Sequence, residues 1–120
     1  MSTLKKDNST ISLNEQILNQ ACTFNEVMRL ISPQWKMQIM FSIHWGTNRF
    51  STLKKEYNTL SDEILGKRLR ELTQEGFVEK IEGPDPKHPI VEYFLTEKAK
   101  DLLPLVPQFC EWGDKWIKAV

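Results

Sequence analysis

The sequence has no apolar run approaching the roughly 20 residues needed to cross a bilayer. Its opening MSTLKKDNSTISLNEQ has lysines but no apolar stretch of the kind a secretory signal requires. A soluble, cytoplasmic protein with no membrane partner is expected. Cysteine is scarce. Cys22 and Cys110 stand far apart, without a CxxC or the Cys/His spacing of a metal site, which suits a reducing compartment better than a disulfide scaffold. With His44 and His88 as the only histidines, no metal centre is expected, and His44, inside an apolar stretch, reads as a hydrogen-bonded structural residue. Glycine-rich phosphate loops, GxSxG and HExxH are all missing, so nothing supports an enzyme or a cofactor. Net charge is absent too. Sixteen Lys and Arg balance 16 Asp and Glu, so the chain as a whole lacks the basic footprint of a nucleic-acid binder.

The charge that is present is unevenly placed. Arg49 to Arg70 holds six basic residues against three acidic ones, a local +3, whereas Glu71 to Leu95 holds two lysines against six acids, a local −4. A positive field is therefore confined to one part of the chain. The length, 120 residues, suits a single domain with one core.

Residues 1–12 are polar and read as a flexible arm. Leu13, Ile17 and Ala21 recur at helical spacing, followed by Phe24, Val27, Met28 and Ile31, so residues 13–31 form a helical segment with an expected break near Cys22 and Thr23. In SPQWKMQIMFSIHWG, Ser32 is a candidate cap, Pro33 suits a first helical position and Gly46 a helix end, which predicts a central, buried helix from Pro33 to Trp45. A second helix starts at Ser51, with Leu53 inward and Lys54 and Lys55 outward. The polar NTLS is a short connection, and Ser61 caps the next helix, which Gly76 ends. FVEKI and VEYFL read as strands joined by EGPDPKHP, a proline-rich loop. Thr96 caps a last helix bent by Pro104 and Pro107, and Cys110 reads as part of its buried side. The expected fold is mainly α with a small β-hairpin (α+β), a helix-turn-helix followed by a wing over residues 32–95, with residues 96–120 forming the C-terminal helix.

Placing Leu65, Leu69 and Leu72 inward turns Glu63, Lys67, Arg70 and Gln74 outward, beside Gly66. In a helix-turn-helix that outward face enters the major groove. Lys67 and Arg70 can donate to guanine O6 and N7 or to phosphate, and Gly66 lets the backbone approach closely. Arg68, at the boundary, suits a phosphate contact or a salt bridge within the protein. Arg49, Ser51, Lys54 and Ser61 complete the candidate DNA-binding set on the helix-turn-helix, and Lys87 and His88 at the wing tip could reach the minor groove. The competing reading is a solvated ladder of Glu63, Lys67 and Glu71.

Several linked stretches, in order, resemble one family. Cys22, Ile31 and Trp35 stand at its spacing, followed by RFSTLKK, RLRELTQEGFV, VEYFLTEKAKDLLP and CEWG. The chain resembles HxlR-type transcriptional regulators, winged helix-turn-helix proteins related in fold to the MarR group. The resemblance implies a bacterial, cytoplasmic homodimer that binds double-stranded, palindromic DNA, commonly as a repressor, and dimerises through its N- and C-terminal helices. Leu13 and Ile17, with the stripe Leu105, Phe109, Trp112 and Trp116, would then form the dimer interface. In a subset of the family the cysteine matching Cys22 senses thiol-reactive or oxidising compounds, so an oxidant or small-molecule effector is a further expected partner. Cys22 itself, read at the start of a helical segment, suits either that role or a small apolar position in a dimer core. Ser32, Pro33 and Gln34 replace the usual Gly-Gly-Lys, Thr23 replaces a proline, Asp62 and Glu63 replace a Pro-Lys pair, and Ile90 stands where a wing arginine is common. The operator cannot therefore be carried over from relatives. Zero net charge and the acidic Glu71 to Leu95 segment leave open a winged-helix protein-interaction module, and Cys22 a thiol redox protein.

Overall fold

The computed structural model describes residues 8–118, with side chains from residue 13 onward. Two compact units are present, one ending at Pro33 and the other beginning at Gln34.

The first unit is α1 (Asn8–Ile31), one uninterrupted helix of 24 residues. The expected arm over residues 1–12 is thus corrected in part: residues 8–12 are helical, and residues 1–7 lie outside the described part. No break occurs at Cys22 and Thr23. The Thr23 hydroxyl donates to the Asn19 carbonyl at 2.9 Å, which lets a β-branched residue sit inside the helix without breaking its ladder. Leu13, Ile17, Leu18 and Phe24 are exposed on it.

The passage from α1 to the next helix departs from expectation. Ser32 does not cap the next helix, because its amide donates to the Met28 carbonyl at 2.8 Å and so prolongs the first helix. Pro33 then disfavours helical geometry in the residue before it. The chain turns at Trp35, whose φ of 78° is the left-handed region, and α2 (Lys36–His44) begins there instead of at Pro33. The Trp35 ring meets the Tyr57 ring edge-on, 5.9 Å between centres. Gly46 ends α2 as expected, with φ 106°.

The second unit continues with α3 (Phe50–Glu56), α4 (Asp62–Gln74), an antiparallel hairpin of β1 (Val78–Glu82) and β2 (Val91–Leu95), α5 (Glu97–Leu102), a 3-10 turn (Leu103–Leu105) and α6 (Val106–Trp116). Val78 pairs with Leu95 and Glu82 with Val91. The kinks at Pro104 and Pro107 are the 3-10 turn and the start of α6. The Tyr93 amide donates to the Asn48 carbonyl at 2.8 Å, so the loop before α3 runs beside the free edge of β2. The sequence reading missed this, because a single backbone bond has no residue signature.

Ile39, Met40 and Ile43 of α2, Leu53 of α3 and Leu65, Leu69 and Leu72 of α4 are buried in the core, as are Phe77 and, in the hairpin, Val78 and Tyr93. Each such side chain contributes roughly 1.5–3 kcal/mol of transfer free energy. His44 lies outside this core. It is exposed, with its ring edge-on to Trp45 at 5.1 Å, in place of the hydrogen-bonded structural position expected for it. Trp45 is exposed too, because it falls after the last turn of α2.

Two polar clusters tie the helices together. Ser42 Oγ donates to Glu56 Oε1 at 2.6 Å, since an ionised carboxylate can only accept. Tyr57 Oη lies 2.6 Å from Ser42 Oγ and donates to the Gln38 carbonyl at 2.9 Å. Burial pushes the Tyr57 phenol above its ordinary pKa, the hydrogen bond with Ser42 opposes this, and the Glu56 charge adds a smaller push upward.

The second cluster is the ion pair of Lys36 and Glu75, 2.5 Å apart, with side chains 2% and 28% exposed. It joins the start of α2 to the end of α4. The asymmetry predicts unequal mutants. Glu75→Ala removes the carboxylate beside a buried ammonium that keeps a further interaction, and is expected to cost about 2 kcal/mol. Lys36→Met leaves a carboxylate that water can reach and should cost less than about 1 kcal/mol. Urea unfolding of both variants checks the order.

Candidate nucleic-acid interface

Helix α4 is built as its sequence suggests. Ser61 Oγ accepts from the Ile64 amide at 3.1 Å, and Asp62 and Glu63 occupy the first turn, where carboxylates favour the helix dipole. At the other end Gly76 takes φ 80°, and the Phe77 amide returns to the Leu72 carbonyl at 2.9 Å. Lys98 Nζ donates to the Glu75 carbonyl at 2.7 Å, so α5 supplies a cation to the negative end of α4. Thr96 Oγ1 donates to the Gly76 carbonyl at 2.6 Å, fixing the same corner.

With Leu65, Leu69 and Leu72 buried, Glu63, Lys67, Arg70 and Gln74 are exposed on the opposite face. Within the described residues neither Lys67 nor Arg70 has a hydrogen bond or ion pair to another side chain. The solvated ladder does not form, because Glu71 pairs with Arg68 instead of Lys67, at 2.8 Å. The space over Gly66 is taken up. A Cβ built there would lie 3.3 Å from Arg70 Nη1, so the guanidinium folds back along the helix and must swing away for backbone to approach a ligand at Gly66.

Three other candidates are engaged within the protein. Arg68 is 16% exposed, with Nε donating to the Gln34 carbonyl at 2.8 Å and Nη1 to Glu71, which makes it an internal brace. Lys54, expected outward, is half-buried: Nζ donates to the Leu60 carbonyl and lies 3.5 Å from Asp62 Oδ1, so it holds the turn between α3 and α4. Arg49 is the residue before α3, which begins at Phe50 and not at Ser51. Its backbone N–H reaches Thr52 Oγ1 at 3.3 Å, and its Nε points to Glu92 on β2 at 3.8 Å. Ser51 is exposed in the first turn of α3.

The wing tip is organised by Asp85. Its Oδ1 accepts from the Lys87 amide at 2.9 Å, and its Oδ2 lies 3.3 Å from His88 Nδ1. Gly83 N–H closes the loop onto the Ile90 carbonyl at 2.7 Å. Lys87 and His88 are both exposed, with the Lys87 ammonium free among the described residues.

Both cysteines differ from expectation. Cys22 sits inside α1 and not at a helix start, more than three turns from the N-terminus of that helix. Cys110, expected in the core, is exposed on α6. That helix has no buried residue, and Leu105, Phe109, Trp112 and Trp116 are exposed by 50%, 56%, 60% and 65%. An apolar face of this size is unusual for a solitary surface helix. Among the described residues no helix is long and apolar enough to cross a membrane.

The chain matches the model of the family described as HxlR-like helix-turn-helix over residues 30–120. An uncharacterized HTH-type transcriptional regulator of Halalkalibacterium halodurans is 38% identical over 97 residues, covering 80% of this chain and 85% of that one. The solved structure of the reduced form of the transcriptional regulator YodB from Bacillus subtilis is similar, with TM-score 0.74 and 26% identity over 82% of this chain and 95% of that one. The reduced form of the redox regulator HypR has TM-score 0.70 and 29% identity, covering 78% and 91% of the two chains.

Proposed function

The chain belongs to the HxlR-like helix-turn-helix family, and from that premise we propose that it is a DNA-binding transcriptional regulator that works as a homodimer on a palindromic operator. The observation that carries this reading is the outer face of α4, where Lys67 and Arg70 stand unpaired with Glu63 and Gln74 opposite a buried leucine stripe. An α-helix fits the major groove, and these side chains carry the donors and acceptors that read base edges there. Glu63 can accept from cytosine N4, which would set this operator apart from those read by a basic residue at that position. The protein acts in the cytoplasm and represses by occluding a promoter.

Selection of bound duplexes from a random pool at moderate and high salt tests the reading. An enriched palindrome whose affinity falls with salt supports it. Retention of no sequence at either salt would favour the protein-interaction module, for which the acidic wing is the feature in hand.

Two parts of the proposal concern other surfaces. The exposed apolar residues of α1 and α6, Leu13 and Ile17 with Phe109, Trp112 and Trp116, form the dimer contact, and residues 32–95 form the DNA-reading body. Cys22, exposed on α1, is the sensing thiol, a reading supported by the likeness to a redox regulator. Diamide is expected to release wild-type protein from its operator and to leave Cys22→Ser bound. Equal release of both would transfer the response to Cys110 or abolish the sensing idea.

A further inference from the structure

A groove runs between the second half of α4 and β1, lined by Arg70, Thr73, Gln74, Lys80 and Tyr93. Lys80 pairs with Tyr93 across the hairpin, and Tyr93 is buried against the helices. Strand alternation therefore turns Lys80 toward α4 and sends its neighbours Glu79 and Ile81 to the opposite face. Lys80 has no hydrogen bond or ion pair among the described residues, although the hairpin has acids to spare. Glu79 is on the other face, and Glu92 is turned to Arg49 at 3.8 Å. Glu82 shares the face of Lys80 but lies farther toward the wing tip. Lys80 thus brings an unpaired cation to a groove that Arg70 and Gln74 also line, with the Gln74 amide as a neutral donor. Thr73 adds no donor, because its hydroxyl is given to the Leu69 carbonyl at 2.7 Å.

We propose that this groove is a phosphate seat, in which Lys80 Nζ, assisted by the Gln74 amide, holds one backbone phosphate of the DNA strand that borders the bases facing Lys67 and Arg70. The inference rests on the DNA-binding reading above. Charge complementarity decides the occupant. A phosphate diester carries the negative charge that the free ammonium needs, and an ammonium holds it as a point charge without demanding one fixed orientation. The seat lies at the end of the reading helix, so it would set how deeply α4 enters the groove without reading sequence.

Titration of operator and of random duplex with wild type, Lys80→Ala and Lys80→Arg, at salt from about 50 to 200 mM, tests the seat. Lys80→Ala is expected to weaken both duplexes by the same several-fold factor and to lower the slope of log K against log salt by about 0.9. Its deficit then shrinks about 3.5-fold across that salt range, while Lys80→Arg keeps the wild-type slope. An unchanged slope in Lys80→Ala, or a loss confined to operator DNA, overturns the seat while leaving DNA binding standing. Absence of salt-sensitive DNA binding in the wild type overturns both.

Discussion

Lys67→Ala with Arg70→Ala is expected to remove operator preference while leaving a folded dimer. Both side chains are exposed and make no bond within the described protein, so their loss should change stability by less than about 0.5 kcal/mol. A bidentate contact to a base is worth roughly 1–3 kcal/mol, and two of them lost together predict about 2–6 kcal/mol, or some thirtyfold or more in specific affinity. The two sites stand at adjacent positions on one face, so the losses need not add. Fluorescence anisotropy with operator and scrambled duplex separates the outcomes. A variant that still prefers its operator at full strength would mean that α4 does not read the groove with this face. Arg68→Ala offers a contrast, because its guanidinium braces the Gln34 carbonyl and Glu71. It should lower affinity by tilting α4, with the salt slope unchanged.

The second large effect lies on α6. Trp112→Glu is expected to convert a dimer into a monomer and to weaken operator binding by about 10²–10⁴, because two linked half-sites no longer share one binding event. Trp112 is 60% exposed and Phe109 56%, so a charge there should cost the isolated fold little while making the apolar contact unfavourable. Sedimentation velocity gives the mass, and binding to a single half-site gives the control. Half-site binding should survive, since the face proposed to read DNA is on α4 and not on α6. A wild-type protein that sediments as a monomer would end the dimer reading, whatever the variant does.

The elements that were legible in advance share a property: their signals are local. The leucines of α4 recur at helical spacing, Ser61 precedes two acids, Gly76 follows the last turn, and two β-branched runs flank a proline-rich loop. Each of these acts within a few residues, and the structure has them where the pattern put them. The errors share a property too. Ser32 and Pro33 form a reasonable helix start by residue type, yet the Met28 carbonyl takes the Ser32 amide and the chain turns at Trp35. Nothing in the local composition announces a tryptophan at positive φ, which L residues with bulky side chains rarely adopt.

Side-chain partners were the least legible. Lys54 and Arg68 carry the same charge as Lys67 and Arg70, and a count of basic residues treats all four alike. Packing divides them. Lys54 spends its ammonium on the turn after α3, Arg68 its guanidinium on the chain before α2, and only Lys67 and Arg70 are left for a ligand. Lys80 went the other way, from an unremarked residue in an acidic segment to a cation left free, among the described residues, beside α4.

The order of helices, turn and hairpin, the leucine stripe and the face opposite it follow from periodicity and caps, because those interactions reach only from one residue to the next few along the chain. Which cations remain free, how α2 is entered, and which acids neutralise which bases depend on residues brought together from distant parts of the chain. Lys36 and Glu75 are 39 positions apart, and Arg68 and Gln34 are 34 apart. Contacts over such separations exist only after the core has closed, and only then is the charge available for DNA distinguishable from the charge that holds the fold.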